Sequence, residues 1–414
     1  MVIPMIRFAR MPITRRSLLK SLPLFPALAR AAAPIQGKVK ITAIHAMAIQ
    51  NIAGNCLIRI DTDAGISGYG EAGSTGPMAR ARIATMAPHL LGKDPLAIEV
   101  HFHNLTTLMH TYMAHIPTIS GIDMALWDLA GKLLNRPVNV LLGGPFRDAI
   151  PMYSHGSRDL KMLDKGSCRE WAAQIKAARE GFNTFKIGID STLGVPSARY
   201  AVTLTSQQLR NVARAYMNVR EAVGDDIDIA VHCHNEPDTP SAIAIAKAVE
   251  PMNPLFLEDP INVPHHEGWA ALKRATRVPI LTGEKLEMLR GFKPFIDAQS
   301  CDIIHPDLAF CGGLTGARKI ADYAYNTRTP VALHNVGSIV LTYASAHFGS
   351  AIHNFYRSES ALGRPTLHVE KMVKSGAPAV KNSQLTVPTA PGLGLDFDFD
   401  YLKSQLVPGE PWWG

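Results

Sequence analysis

The sequence has little of what would mark several large function classes. Its 414 residues hold five cysteines, at 56, 168, 233, 301 and 311, an odd number with no Cys-x-x-Cys pair. That excludes a disulfide framework or a cysteine-rich zinc module as the organising feature, and leaves the thiols as small apolar core residues. Aromatics make up 7%, and no biased tract interrupts a composition that is 47% hydrophobic. This fits a globular chain and not a disordered one. No run beyond the first residues is long and apolar enough to span a bilayer. A basic patch is missing too. The net charge is +7, but six of those charges (Arg7, Arg10, Arg15, Arg16, Lys20 and Arg30) fall within residues 1–33, which carry no acid. The remainder is near neutral, so nucleic acid is not an expected partner.

Residues 1–33 have the form of an export signal: Thr14-Arg-Arg-Ser-Leu-Leu-Lys20, an apolar run to Leu28, then Ala29-Arg-Ala-Ala-Ala33. The paired arginines resemble a twin-arginine signal. The expectation is a periplasmic protein with no membrane anchor after processing, or a cytoplasmic one if the leader is not functional.

Residues 37–145 read as an α+β domain. Strand-like runs at 40–47, 55–61 and 66–73 are joined by turns such as Asp63-Ala-Gly65, and a helical pattern over 78–142 follows. Residues 146–365 alternate strands with helices. Strands are expected at Ile150–His155, Asn183–Gly188 and Ile227–His232, ahead of Glu258 and of Glu284, at 301–305 and 329–334, and from His353 to Glu359. Parallel strands joined by helices at this count close most readily into a (β/α) barrel. The fold class is therefore α/β, a modified barrel of the (β/α)7β type behind an N-terminal α+β cap. Residues 366–414 are too short for a domain and are expected to pack on the cap.

The chemistry gathers at strand ends. His232, Glu258 and Glu284 follow one another at intervals of 26 residues, each at the end of an apolar strand run. Period two puts His232 and His234 on one side of their strand. Two carboxylates brought together favour a divalent cation between them. Lys186 leaves a buried strand, where a desolvated lysine near a cation would lose its proton easily and serve as a base. Asp307 and His334 end neighbouring strands, where a carboxylate would fix the imidazole tautomer.

These pieces resemble the enolase superfamily in its mandelate-racemase-like branch. The matching strings are Gly68-Tyr-Gly-Glu-Ala-Gly73, Ser120-Gly-Ile-Asp-Met-Ala-Leu-Trp-Asp128, Leu141-Leu-Gly-Gly144, Phe185-Lys-Ile-Gly188, Phe256-Leu-Glu-Asp-Pro260, Thr282-Gly-Glu-Lys285, Ile304-His-Pro-Asp307 and Ala332-Leu-His-Asn335. The chain looks most like acid-sugar dehydratases of the galactonate and mannonate type. The resemblance implies a sugar-acid substrate, Mg²⁺ as cofactor, a homo-oligomer, and removal of the proton α to a carboxylate to give an enediolate. It makes Glu258 and Glu284 metal ligands, Lys186 a base, His334 with Asp307 the opposite catalytic pair, and Glu359 a contact to the substrate carboxylate. His234 becomes the acid for the departing hydroxyl, with His155, Lys285 and Asn335 as substrate-binding residues.

Two departures follow. Thr184 stands where the family's first lysine would be, and His232 where its first metal ligand is an aspartate. Imidazole removes one ligand charge, leaving Mg²⁺ held weakly, Zn²⁺, Mn²⁺ or Fe²⁺ held better, or no metal at all. Racemisation, epimerisation or cycloisomerisation shares the first step with dehydration, and a non-catalytic sugar-acid binder is the alternative that His232 motivates. His232-x-His234 is also similar to the opening motif of metal-dependent hydrolases, although there it lies on the first strand of the barrel.

Overall fold

The computed structural model describes residues 37–413 apart from 53, 108–114, 158, 179, 195–201, 235, 362–368 and 376–379. The export leader expected at residues 1–33 lies outside the described residues.

The cap begins with a three-stranded antiparallel sheet, β1 (Ile41–Met47), β2 (Cys56–Thr62) and β3 (Ser67–Ala72). Gly65 takes a positive φ at the β2–β3 turn, where the sequence pattern expects one. Among the described residues, three helices of ten residues or more follow: α1 (Gly76–Leu90), α2 (Ile98–Thr107) and α3 (Ile116–Leu134). Helix α3 lies directly on β3. A Cβ at Gly70 would collide with the Gly121 carbonyl, so this approach needs glycine on the strand. Ile58, Ile60, Met86, Ile122, Leu126 and Leu129 close the cap's core.

The barrel strands are β4 (Ala149–His155), β5 (Thr184–Gly188), β6 (Asp228–His232), β7 (Leu257–Glu258), β8 (Ile280–Thr282), β9 (Ile303–Ile304), β10 (Val331–Leu333) and β11 (Phe355–Glu359). They pair in sequence order, all parallel, and β11 closes on β4. Among the described residues, seven α-helices link them: α4 (Lys165–Ala177), α5 (Ser206–Val223), α6 (Thr239–Val249), α7 (Glu267–Ala275), α8 (Met288–Asp297), α9 (Gly313–Asn326) and α10 (Ile339–Ala351). Several helix starts are written locally. Asp164, Asp238 and Ser338 accept from first-turn amides, and Thr205 with Gln208 forms a capping box. Each such cap contributes about 1 kcal/mol. Helix α4 starts at Lys165, where Asp164 supplies the cap.

The barrel interior is a packed layer of Tyr153, Ala230, Phe256, Leu281, Ile303 and Ala332. Fully burying a side chain such as Phe256 is worth about 2–3 kcal/mol. The active-site side chains stand on the rim above this layer. All five cysteines are free and buried.

The C-terminal segment divides its contacts. Strands β12 (Val380–Lys381) and β13 (Gln384–Thr386) form a hairpin that pairs antiparallel with β4, so this part extends the barrel sheet. The last residues lie on the cap: Glu410 accepts from Ala48 N and pairs with Arg80, and Arg59 donates to the Trp413 carbonyl.

Candidate active site

Strand register brings the rim residues together. His155 pairs with Lys186 across β4–β5, His232 with Glu258 across β6–β7, and Asp307 with His334 across a parallel bridge just beyond β9 and β10. Lys186 Nζ donates to Glu258 Oε1 at 2.8 Å and lies 3.1 Å from Glu359 Oε1. His155 Nε2 also contacts Glu359 Oε1. On the other wall, His334 Nδ1 and Asp307 Oδ2 share a hydrogen bond of 2.6 Å, and the Ala309 amide donates to Asp307 Oδ1. His334 Nε2 is 3.2 Å from Glu284 Oε2 and 3.5 Å from Glu359 Oε2.

Between these walls, one donor atom each from His232, Glu258 and Glu284 lie within 4.8 Å of one another. Among the described residues, His232 Nε2 and Glu258 Oε2 are buried without a hydrogen-bond partner. Buried polar atoms are seldom left this way, and each costs about 1–3 kcal/mol. One nitrogen and two carboxylates around a small gap fit a divalent cation, which would complete those valences.

The electrostatics agree. Burial, helped by Lys186 and His234, keeps His232 far below the usual histidine range, so its imidazole is neutral with a lone pair to give. Burial pushes Glu258 up. It pushes Glu284 the same way, but His334, Lys186 and His305 outweigh it and hold that carboxyl at about 2. Burial lowers His334, but Glu359, Glu284 and the Asp307 hydrogen bond outweigh it and raise the ring to about 10.

Lys186 is set by opposing influences. Burial pulls it down, but Glu258, Glu359 and Glu284 together hold it above its ordinary value.

Three further expected residues are placed differently from the cluster. β6 ends at His232, so His234 falls in the following turn. Its ring lies 3.8 Å from that of His232, its side chain is 52% exposed, and Nδ1 meets Asp190 Oδ2 at 3.0 Å. Lys285 turns to Glu236 at 2.6 Å and Asp259 at 3.4 Å. The Asn335 side chain serves its own loop, bonding Thr342 and Gly337, while its amide donates to Glu359 Oε2.

Sequence reasoning missed Tyr153, His305 and Arg357. Tyr153 OH and His305 Nε2 lie 2.9 Å apart beneath the cluster, with His305 Nδ1 3.8 Å from Glu258 Oε1. Arg357 donates to Thr184 Oγ1 at 2.6 Å. Each stands two positions before a residue already singled out (His155, Asp307 and Glu359), so strand period two would have found all three.

Two family descriptions match the chain: "Mandelate racemase / muconate lactonizing enzyme, N-terminal domain" over residues 30–143 and "Enolase C-terminal domain-like" over residues 169–401. The D-xylonate dehydratase of Haloferax volcanii is 34% identical over 363 residues, covering 86% of this chain and 86% of that protein. Among solved structures, a mandelate racemase/muconate lactonizing enzyme-like protein from Rubrobacter xylanophilus is similar at TM-score 0.82 and 30% identity, over 91% of this chain and 99% of that one. A member of the enolase superfamily from Salmonella Typhimurium is similar at TM-score 0.77 and 26% identity, over 90% and 98%.

Proposed function

The chain belongs to the mandelate racemase/muconate lactonizing enzyme branch of the enolase superfamily and is a hydro-lyase of the acid-sugar dehydratase type; on that premise we propose that it removes the proton α to the carboxylate of a sugar acid and expels the β-hydroxyl. One observation carries this reading: a three-donor cation cradle lies between Lys186 on one wall and the His334–Asp307 pair on the other. A carbon acid α to a carboxylate needs a base on one side and charge stabilisation on the other, and both are within this rim.

His232, Glu258 and Glu284 would hold the cation, Mg²⁺ by family or Zn²⁺, Mn²⁺ or Fe²⁺ by the chemistry of His232. A bound divalent cation would supply positive charge to the substrate carboxylate and to the enediolate that forms from it. Lys186 in its neutral form takes the α-proton onto Nζ, and Glu258 and Glu359 hold the ammonium so formed. His334, fixed by Asp307 with Nε2 facing the cavity, gives its proton to the leaving hydroxyl. His155 and Lys186 orient Glu359, which with the Asn335 amide lines the pocket for the carboxylate end of the substrate.

The test is turnover of a panel of aldonic acids, D-xylonate among them, by protein reconstituted with each divalent metal. Formation of a 2-keto-3-deoxy acid supports dehydration. Solvent deuterium appearing at the α-carbon with no keto acid would transfer the reading to racemisation or epimerisation. No deuterium and no product on any substrate, with metal bound, would leave a binding protein.

A further inference from the structure

Two buried carboxylates of the cap have no part in this chemistry, yet each ends on a loop that carries one half of the His334–Asp307 pair. Glu71, on β3, accepts from the amides of Ser338 (3.0 Å) and Leu341 (3.3 Å), from the Ser338 hydroxyl and from Asn55 Nδ2. Ser338 is the N-cap of α10, four residues after His334. Asp123, on α3, accepts from the Thr315 amide at 2.9 Å in the first turn of α9, the helix that follows Asp307. A Cβ at Gly337 would collide with Glu71, and one at Gly313 with Asp123, so both loops carry glycine where a carboxylate arrives.

Little slack separates these anchors from the pair. Between His334 and Ser338, the Asn335 amide bonds Glu359 Oε2 and the Gly337 amide bonds Asn335 Oδ1. Between Asp307 and Thr315, the Ala309 amide bonds Asp307, the Gly73 amide bonds the Ala309 carbonyl, and the Gly312 amide bonds Ser120 Oγ. Trp127 Nε1 donates to Thr315 Oγ1. A carboxylate at a helix N-terminus meets both free amides and the positive end of the helix dipole, so these joints are stiff.

We propose that Glu71 and Asp123 are positioning residues of the His334–Asp307 pair: the cap grips the two helices that follow the pair's strands and thereby sets imidazole against carboxylate. This rests on the reading of that pair as catalytic, but its geometric part does not. A shift of about 1 Å at a reacting group costs on the order of 100-fold in rate.

The measurement is made on the full chain loaded with its metal, in the parent and in Glu71→Gln, Asp123→Asn and, as control, Asp128→Asn. Asp128 is equally buried and accepts from the Tyr69 and Leu393 amides and from Lys132, and among the described residues no hydrogen bond joins it to either loop. Two quantities are read: turnover per bound metal ion, and the downfield Nδ1 proton resonance of His334 in ¹⁵N-histidine-labelled protein. Glu71→Gln and Asp123→Asn should broaden or displace that resonance and lower kcat on the order of 100-fold with KM and metal stoichiometry retained. Asp128→Asn should lower the melting temperature and change neither. The proposal is overturned if the two variants melt earlier but keep the parent resonance and kcat per metal, or if the parent itself lacks the resonance. The resonance is read without substrate, so it stands even where every sugar acid fails to turn over.

Discussion

Lys186 Nζ lies 2.8 Å from Glu258 Oε1 at a place where neither side chain is more than 3% exposed. One carboxylate is thus shared between the expected base and the expected metal cradle. A cation entering the cradle meets the positive charge of Lys186 at close range, and inside a protein such repulsion is worth a few kcal/mol.

Lys186→Met should therefore move two observables in opposite directions. Affinity for a divalent metal should rise, by about tenfold or more, as the repulsion disappears. Turnover should fall by roughly 10²–10⁴-fold as the base is lost. Calorimetric metal titration alongside single-turnover assays checks both. Metal affinity that falls with turnover would mean the lysine supports the cradle and does not compete with it.

His232 sets the donor chemistry of the cradle. Its neutral nitrogen, buried and unpaired at Nε2, suits Zn²⁺ or Mn²⁺ better than Mg²⁺, which prefers hard oxygens. The apo-protein should bind Zn²⁺ or Mn²⁺ well ahead of Mg²⁺, and His232→Asp should narrow that gap by strengthening Mg²⁺. Elemental analysis of protein as isolated, with competitive titration of both forms, decides it. Equal Mg²⁺ affinity in parent and variant would sink the idea.

Asp123 gives the fold a pH dependence of its own. Burial, outweighing its hydrogen bonds to Thr315, raises it to about 7. A carboxyl whose folded pKa lies above its unfolded value stabilises the fold most below the unfolded value. That contribution is lost as pH rises toward the folded one. The window is thus about pH 4 to 7, and the loss from this one group is on the order of 4 kcal/mol. Urea unfolding at pH 5 and pH 8 should show Asp123→Asn less pH-dependent than the parent by an amount of that order. Parallel pH profiles would count against it.

Much of this was legible in the chain because strand ends announce themselves. His232, Glu258 and Glu284 each close an apolar run, and register across β6, β7 and β8 does the rest. Lys186, Asp307 and His334 were legible for the same reason. What was not legible depends on contacts that no spacing encodes. His234 continues the period of β6 in sequence, but the strand stops two residues earlier, and Asp190, 44 positions away, takes the ring. Lys285 looked free beside Glu284 until Glu236 and Asp259 arrived from neighbouring loops. The proton balance of Lys186 could not be read at all, since it depends on three carboxylates from three other strands. The same holds for Glu71 and Asp123, whose strings were conspicuous although their partners lie 267 and 192 residues away.

Thr184 and Arg357 form a layer directly beneath Lys186 and Glu359, since each stands two positions earlier on the same strand. The Arg357 guanidinium donates to Thr184 Oγ1 at 2.6 Å, so a permanent cation already occupies the space next to position 184. A lysine there would face it at short range. Thr184→Lys alone should destabilise the fold by a few kcal/mol, as two like charges meet in a buried layer. Arg357→Met alone removes one of two hydrogen bonds of the Thr184 hydroxyl, which still donates to Asn183 Oδ1, a cost of about 1 kcal/mol. The double variant should recover part of the combined loss, giving a coupling of about 1–3 kcal/mol in a double-mutant cycle of unfolding free energies. That sign means the chain dispensed with a lysine at 184 because Arg357 holds the charge there. Strict additivity would mean that the two positions are independent, and that Thr184 is there for reasons of packing alone.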